Sequence, residues 1–262
     1  MKPLHVHGVG ILGPGLAGWE AARRVMSREQ PYRYELPPDP RPDALPQNER
    51  RRGARTVRWA IAVAEEAMRN SGITPANVAS VFASSSGDGD TLHQICEALA
   101  RPEREVSPTR FHNSVHNAAA GYWSIACGSR RTSTTLCGHD ASFGLGLLEA
   151  SALVQAGEDA VLLVVYDLPY PEPLCTVRPI RAPLAIAILL SGEPRRLTLA
   201  RWKVSLTAEA TMTDPARDWP AELASNPAAQ ALPLLAAVAR QAVDTTRVAL
   251  GSRQRLVIDS CP

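Results

Sequence analysis

The sequence predicts an α/β fold in which a layered mixed sheet is flanked by helices. Residues 160–166 (AVLLVVY) and 184–190 (LAIAILL) are continuously apolar, as strands covered on both faces are. From residue 116 onward, segments of helical and strand character alternate, which is the order of a sheet packed between helices.

The elements follow in order. Residues 4–12 (LHVHGVGIL) read as a β-branched, apolar strand running into glycines, and 15–27 (GLAGWEAARRVMS) as a helix. Six prolines stand between Pro31 and Pro46, and each fixes φ and removes a donor, so an extended surface loop is expected there. In 52–71, Val57, Ala60, Ile61, Ala64, Ala67 and Met68 recur at helical spacing. Arg51, Arg55, Arg58, Glu65, Glu66 and Arg69 fill the other faces, and Gly72 is placed to stop the helix. Residues 78–84 read as a buried strand, 84–90 as a polar loop and 91–100 as a helix, followed by an exposed segment rich in Arg and Pro. A small-residue helix (HNAAAGYWSIACG), a Ser/Thr strand (TSTTLC) and a helix over 141–156 closed by Gly157 come next. After the two apolar strands remain Pro-broken loops, a helix over 227–243 and a short strand, RLVID.

Composition narrows the function. The 262 residues, 45% hydrophobic, suffice for one large domain or two small ones. Set against 26 acidic residues, 28 basic ones leave a net charge of +2, too near neutral for nucleic acid or an anionic membrane to be the expected partner. No apolar run approaches the roughly 18–20 residues that cross a bilayer. The opening MKPLHVHGVGILGPG has no sustained apolar core and no small-residue cleavage site, so no secretion signal is expected. Cys96, Cys127, Cys137, Cys175 and Cys261 are odd in number and make no CxxC or Cys/His metal spacing, which points to the cytoplasm and reduced thiols.

Several motifs reduce to ordinary structure. Gly8-x-Gly10-x-x-Gly13 matches the dinucleotide fingerprint, but that fingerprint needs a second strand ending in an acid about 20 residues on. The proline run stands there instead, with Glu35 and Asp39 but no apolar strand before them, so a tight strand-to-helix turn is expected. His112 and His116 could share a helix face, yet no carboxylate accompanies them at a metal-ligand spacing. Arg50, Arg51, Arg52, Arg55 and Arg58 form the densest basic cluster, read as a solvated helix end or a docking point for an acidic partner. No aromatic residue alternates with them before Trp59, which argues against stacking on single-stranded nucleic acid. No cofactor and no metal are expected.

Residues 107–157 are different: a small-residue helix, a Ser/Thr strand, and a helix that begins at a sharp turn, where its dipole favours a thiolate or another anion. Here the chain resembles the β-ketoacyl synthases of the thiolase superfamily. His116-Asn117-Ala118-Ala119-Ala120-Gly121 resembles that family's Pro/Asn-x-x-Ala-Gly helix. Residues 8–15 resemble its opening strand and turn, and 184–193 (LAIAILLSGE) the strand that ends its N-terminal half. The resemblance covers residues 1–205 and implies half of the thiolase fold, with 206–262 a C-terminal extension packing on the same domain.

In the family a Cys at the turn carries the acyl chain. Counting 17 residues back from Gly157 lands on Asp140, with Cys137 three positions upstream as the second candidate for that place. An Asp there is expected to cap the helix, and Cys137 to be a packed thiol in the strand. A carboxylate forms no thioester. The family also uses two histidines from its C-terminal half, and none follows His139 in this sequence.

Residues 140–150 (DASFGLGLLEA) resemble the truncated chain length factors of bacterial aryl polyene biosynthesis. The resemblance implies a non-catalytic subunit that forms a heterodimer with a full-length β-ketoacyl synthase and meets the acyl carrier protein bearing the growing chain. Side chains near Phe143, Trp123 and Tyr122 are then the candidates for the tunnel wall. Two other readings stand beside it. One is a small acyltransferase or decarboxylase using Cys137 and His139, since positions i and i+2 of a strand share a face. The other is a scaffold holding acyl carrier protein through the arginine cluster.

Overall fold

The structure is a computed structural model that describes residues 2–69, 71–209 and 211–262. In chain order it begins with β1 (Leu4–Gly13), β2 (Leu16–Ala17), α1 (Trp19–Met26), α2 (Gln47–Arg52), α3 (Arg55–Arg69), β3 (Ala79–Ala83) and α4 (Gly89–Ala100). Then come α5 (Pro108–Asn113), α6 (Ala118–Cys127), β4 (Ser133–Leu136), α7 (Ser142–Gln155), β5 (Val161–Asp167), α8 (Leu174–Val177) and β6 (Leu184–Ser191). The chain closes with β7 (Ala200–Thr207), α9 (Ala221–Ala224), α10 (Leu232–Arg240), β8 (Asp244–Ala249) and β9 (Arg255–Cys261).

The nine strands of the described residues join one mixed sheet in the order β4-β3-β5-β6-β1-β7-β9-β8, with β2 on β1. β3 is parallel to β4 and β5, and the other pairings are antiparallel. The expected mixed sheet between helices is therefore present, and β8 and β9 of the C-terminal segment extend it through β7.

The two central apolar strands divide their side chains between two cores. Leu163, Val165, Ile186 and Ile188 face the core shared with Leu147 of α7 and Leu234 of α10. Leu162, Val164, Ala185 and Ala187 face the core shared with Trp59, Ala60 and Ala64 of α3 and Trp123 of α6. In β1 the alternation slips once. Leu4 and Val6, then Val9 and Ile11, all enter the first core, because a register shift between Val6 and Gly8 adds a residue to the strand.

The glycine motif has a packing cause. Gly8, Gly10 and Gly13 lie within β1 itself, which corrects the expected strand-to-helix turn. A Cβ on Gly8 would stand 2.0 Å from the Ala67 carbonyl oxygen, and one on Gly10 2.0 Å from that of Val63. The strand and the α3 backbone are in direct contact there, and only a residue without a side chain allows that approach.

Other boundaries shift. The first helix starts at Trp19, the second at Arg55 after the separate short α2, and the expected 227–243 helix is a 3-10 segment (Pro227–Ala231) followed by α10. Glu66, expected on the outer face of α3, turns inward. Its carboxylate accepts from the backbone N–H of Ile11 at 3.0 Å and of Trp19 at 2.6 Å, which caps α1 from another helix. Leaving two such donors unmet costs on the order of 1–3 kcal/mol each.

Candidate functional site

In sheets with parallel strands, ligands gather beyond the strand carboxyl ends. Here β3, β4 and β5 end side by side and are followed by Ser84 and Ser85, by Cys137, and by Asp167 as the last residue of β5. The connection from β5 to β6 adds Tyr170 and Arg178.

Asp167 is the buried centre of this group, 1% exposed. Its Oδ1 accepts from the Ser84 hydroxyl at 3.0 Å and from the Ser85 N–H and hydroxyl at 2.8 Å each. Tyr170 Oη hydrogen-bonds to the hydroxyls of both Ser85 and Ser86. Burial pushes the Asp167 carboxyl up to about 6, although the serine donors and the Arg178 charge oppose that rise. Residue-by-residue reading missed this network. Its visible signal was an acid at the end of a continuously apolar strand, AVLLVVYD.

A group whose folded pKa is raised binds its proton more tightly when folded, so stability increases as pH falls through that pKa. Between the ordinary 3.8 and about 6 the Asp167 contribution is worth about 3 kcal/mol. His5 and His7 act in the opposite sense, because burial lowers both below 6.5 and acid then costs stability. The wild type minus Asp167→Asn difference isolates the carboxylate. The relative stability of the wild type is expected to improve by about 2 kcal/mol from pH 7.5 to pH 4.5 in chemical denaturation. Parallel curves for the two proteins would contradict the assignment.

The turn after β4 departs from expectation in three ways. First, Asp140 does not cap α7. A 3-10 turn (His139–Ala141) precedes the helix, whose first residue is Ser142, and no side-chain cap bond is made. Instead the Ser142 hydroxyl accepts from Gly138 N–H at 3.2 Å and donates to the His139 carbonyl at 2.7 Å. The Asp140 carboxylate points away, with Oδ1 2.7 Å from Arg178 Nη2 and Oδ2 3.2 Å from His139 Nδ1. Second, Cys137 is exposed, not packed: β4 ends at Leu136, and the thiol donates to the Ser85 carbonyl at 2.6 Å. Third, His139 adopts a left-handed backbone at φ 52°, so the strand period that would align it with Cys137 is broken.

Several exposed apolar side chains stand on α4, α5 and α6, and α6 packs against the edge strand β4. Phe111 of α5 is 68% exposed and Ile125 of α6 60%, with Leu92 and Leu99 of α4 and Val115 also exposed. The His112 ring meets Tyr122 edge-on and Tyr122 Oη donates to Asn113 Oδ1 at 3.1 Å, which ties α5 to α6 beside β4. Isolated exposed apolar residues are ordinary, but several on the adjoining α4, α5 and α6 mark a surface that favours being covered.

This arrangement, a mixed sheet whose parallel strands end at a braced turn before a small-residue helix, agrees with a family match over residues 20–254 to the beta-ketoacyl synthase N-terminal domain. The chain belongs to the beta-ketoacyl synthase family. No curated protein matches it. The structure of a ketosynthase, ApeO, in complex with its chain length factor, ApeC, from Xenorhabdus doucetiae matches with TM-score 0.75 and 22% identity, over 99% of this chain and 100% of that one. The ishigamide ketosynthase/chain length factor matches with TM-score 0.77 and 12% identity, over 99% of each chain. A beta-ketoacyl synthase from Burkholderia phymatum STM815 matches with TM-score 0.63 and 16% identity, over 92% of this chain and 71% of that one.

Within this beta-ketoacyl synthase fold the three rings that mark the expected tunnel wall are themselves buried. Phe143 is 0% exposed and faces the α7 core, while Trp123 and Tyr122 are both buried in the α3 core. These rings fill the interior of the synthase-like chain on opposite sides of the sheet. The arginine cluster is also divided. Arg55 and Arg58 pair with Asp39 at 2.7 and 3.7 Å, and Arg50 with Asp43 at 3.7 Å, which fastens the proline segment to α3 and α2. Arg51 and Arg52 stay exposed. Among the described residues no group of three or more His, Cys, Asp or Glu could hold a metal ion, and no helix is long and apolar enough to cross a membrane.

Proposed function

We propose that the chain is a non-catalytic chain length factor that pairs with a full-length beta-ketoacyl synthase, in the cytoplasm, during aryl polyene or fatty-acid-like polyketide biosynthesis. The observation that carries this reading is the turn itself. In the turn before α7, where the family resemblance puts a thiol nucleophile, stands Asp140, its carboxylate already engaged by Arg178 at 2.7 Å. A carboxylate holds no acyl thioester, so the structural element remains without its chemistry. Solved complexes of a ketosynthase with its chain length factor share the fold, which supports the pairing.

The β4 edge with Phe111, Val115 and Ile125 is the surface that receives the synthase. Exposed Arg51 and Arg52 are the part of the basic cluster that meets acidic acyl carrier protein. One neighbouring structure holds a type II acyl-carrier protein with its ketosynthase.

The exposure of Cys137 favours a second reading, an acyltransferase using that thiol. Intact-mass measurement after incubation with acyl-loaded carrier separates the two. An acyl adduct is expected on the synthase alone. An adduct on this chain that Cys137→Ser abolishes would establish the second reading.

A further inference from the structure

The turn at Gly138–Ser142 is exposed at His139 and Asp140 yet strained. His139 and Asp140 keep 68% and 65% of their side-chain surface, while His139 holds a left-handed backbone that residues with a side chain adopt at a cost. Such a conformation persists only where the surroundings over-determine it.

The surroundings that do so come from the far end of the sequence. Gln230 Nε2 donates to the Asp140 backbone carbonyl, and its Oε1 accepts from the Ala249 N–H of β8 at 3.1 Å. A Cβ on Gly144 would stand 2.1 Å from the Ala249 carbonyl oxygen, so β8 and the first turn of α7 touch backbone to backbone. The same segment braces the neighbouring strand ends. Asn226, 1% exposed, donates to the carbonyls of Asp167 at 2.8 Å and Ala182 at 2.9 Å. Ser225 Oγ accepts from Arg181 N–H at 2.9 Å. Three successive polar side chains thus spend their hydrogen bonds on backbone groups at the carboxyl end of the sheet and the loops leaving it.

We propose that Gln230 is the positioning residue of the His139–Asp140 turn, and that residues 225–230 with β8 form an internal brace holding that turn in its outward-facing form. Amide groups become labile where their local structure opens cheaply. The brace therefore decides the protection of Ala141, Ser142 and Phe143. This inference concerns the chain alone and holds whether or not it pairs with a synthase.

The test is hydrogen exchange on the full chain, followed by mass spectrometry, for Gln230→Ala and Gln230→Glu. In Gln230→Ala the 139–143 amides are expected to exchange at least tenfold faster, with β1 and β6 unchanged. Gln230→Glu is expected to match it at neutral pH, because a carboxylate cannot donate to the Asp140 carbonyl. Protection relative to wild type should return below the glutamate pKa of about 4.3, where the protonated acid donates again. Unchanged 139–143 exchange in Gln230→Ala would overturn the proposal. So would faster exchange spread equally through β1 and β6, or a Gln230→Glu protein whose protection ignores pH.

Discussion

Gly10→Ala is expected to prevent the chain from accumulating as a soluble folded protein. The added Cβ would lie 2.0 Å from the Val63 carbonyl oxygen and 2.9 Å from its carbonyl carbon, both backbone atoms of α3. No rotamer change relieves such a contact, so either α3 must lift from the sheet or β1 must move away. Val63, Ala64 and Ala67 are buried against β1 and β6, and lifting the helix reopens a close-packed core. The cost should exceed about 4 kcal/mol, which removes most of the stability of a domain near the low end of the usual range of about 5–15 kcal/mol. Gly121→Ala in α6 is the matched control, because nothing lies within 4 Å of its added Cβ. That change is expected to be neutral or to stabilise by up to about 1 kcal/mol through helix propensity. Soluble yield and thermal midpoints of the two variants measure the contrast. Equal midpoints would mean that the motif has some other purpose.

The second large effect concerns association. Phe111→Asp and Ile125→Asp are expected to leave folding almost untouched, since exposed substitutions away from special features shift stability within about 0.5 kcal/mol. Pairing with a synthase should weaken by at least about 100-fold for each, because a charge at the centre of a covered apolar patch is left without a partner. Val243→Asp is the control. Val243 is 82% exposed but lies beside β8, at the opposite end of the sheet from β4. Titration calorimetry with the three variants reads the difference directly. Equal affinities for all three would move the interface away from β4.

The parts of the fold that were legible in the sequence owe this to continuous burial. β5 and β6 are covered on both faces and announce themselves as apolar runs, and α3 does so through its period. β7 carried a readable signal that went unused: Ala200, Trp202 and Val204 point inward between exposed Arg201, Lys203 and Ser205. β8 is harder, because an edge strand reading Asp-Thr-Thr-Arg-Val-Ala has too little apolar content to stand out from a loop.

The candidate site divides in the same way. Asp140 could be located by counting along the helix, yet its partners Arg178 and Gln230 are brought to it only by tertiary packing. Helix capping is a local rule, and it lost to an ion pair and a 3-10 turn that a local rule cannot see. Glu66 misled for a related reason. An acid on a helix normally faces water, and here another helix start needed its oxygens.

The most direct measurement is the mass of the assembly formed when this chain is co-expressed with a full-length beta-ketoacyl synthase that retains its Cys and both His. Light scattering on the purified material should give one copy of each chain in a complex that survives dilution. A stable monomer or homodimer of this chain, with no affinity for any such synthase, would contradict its role as a partner subunit.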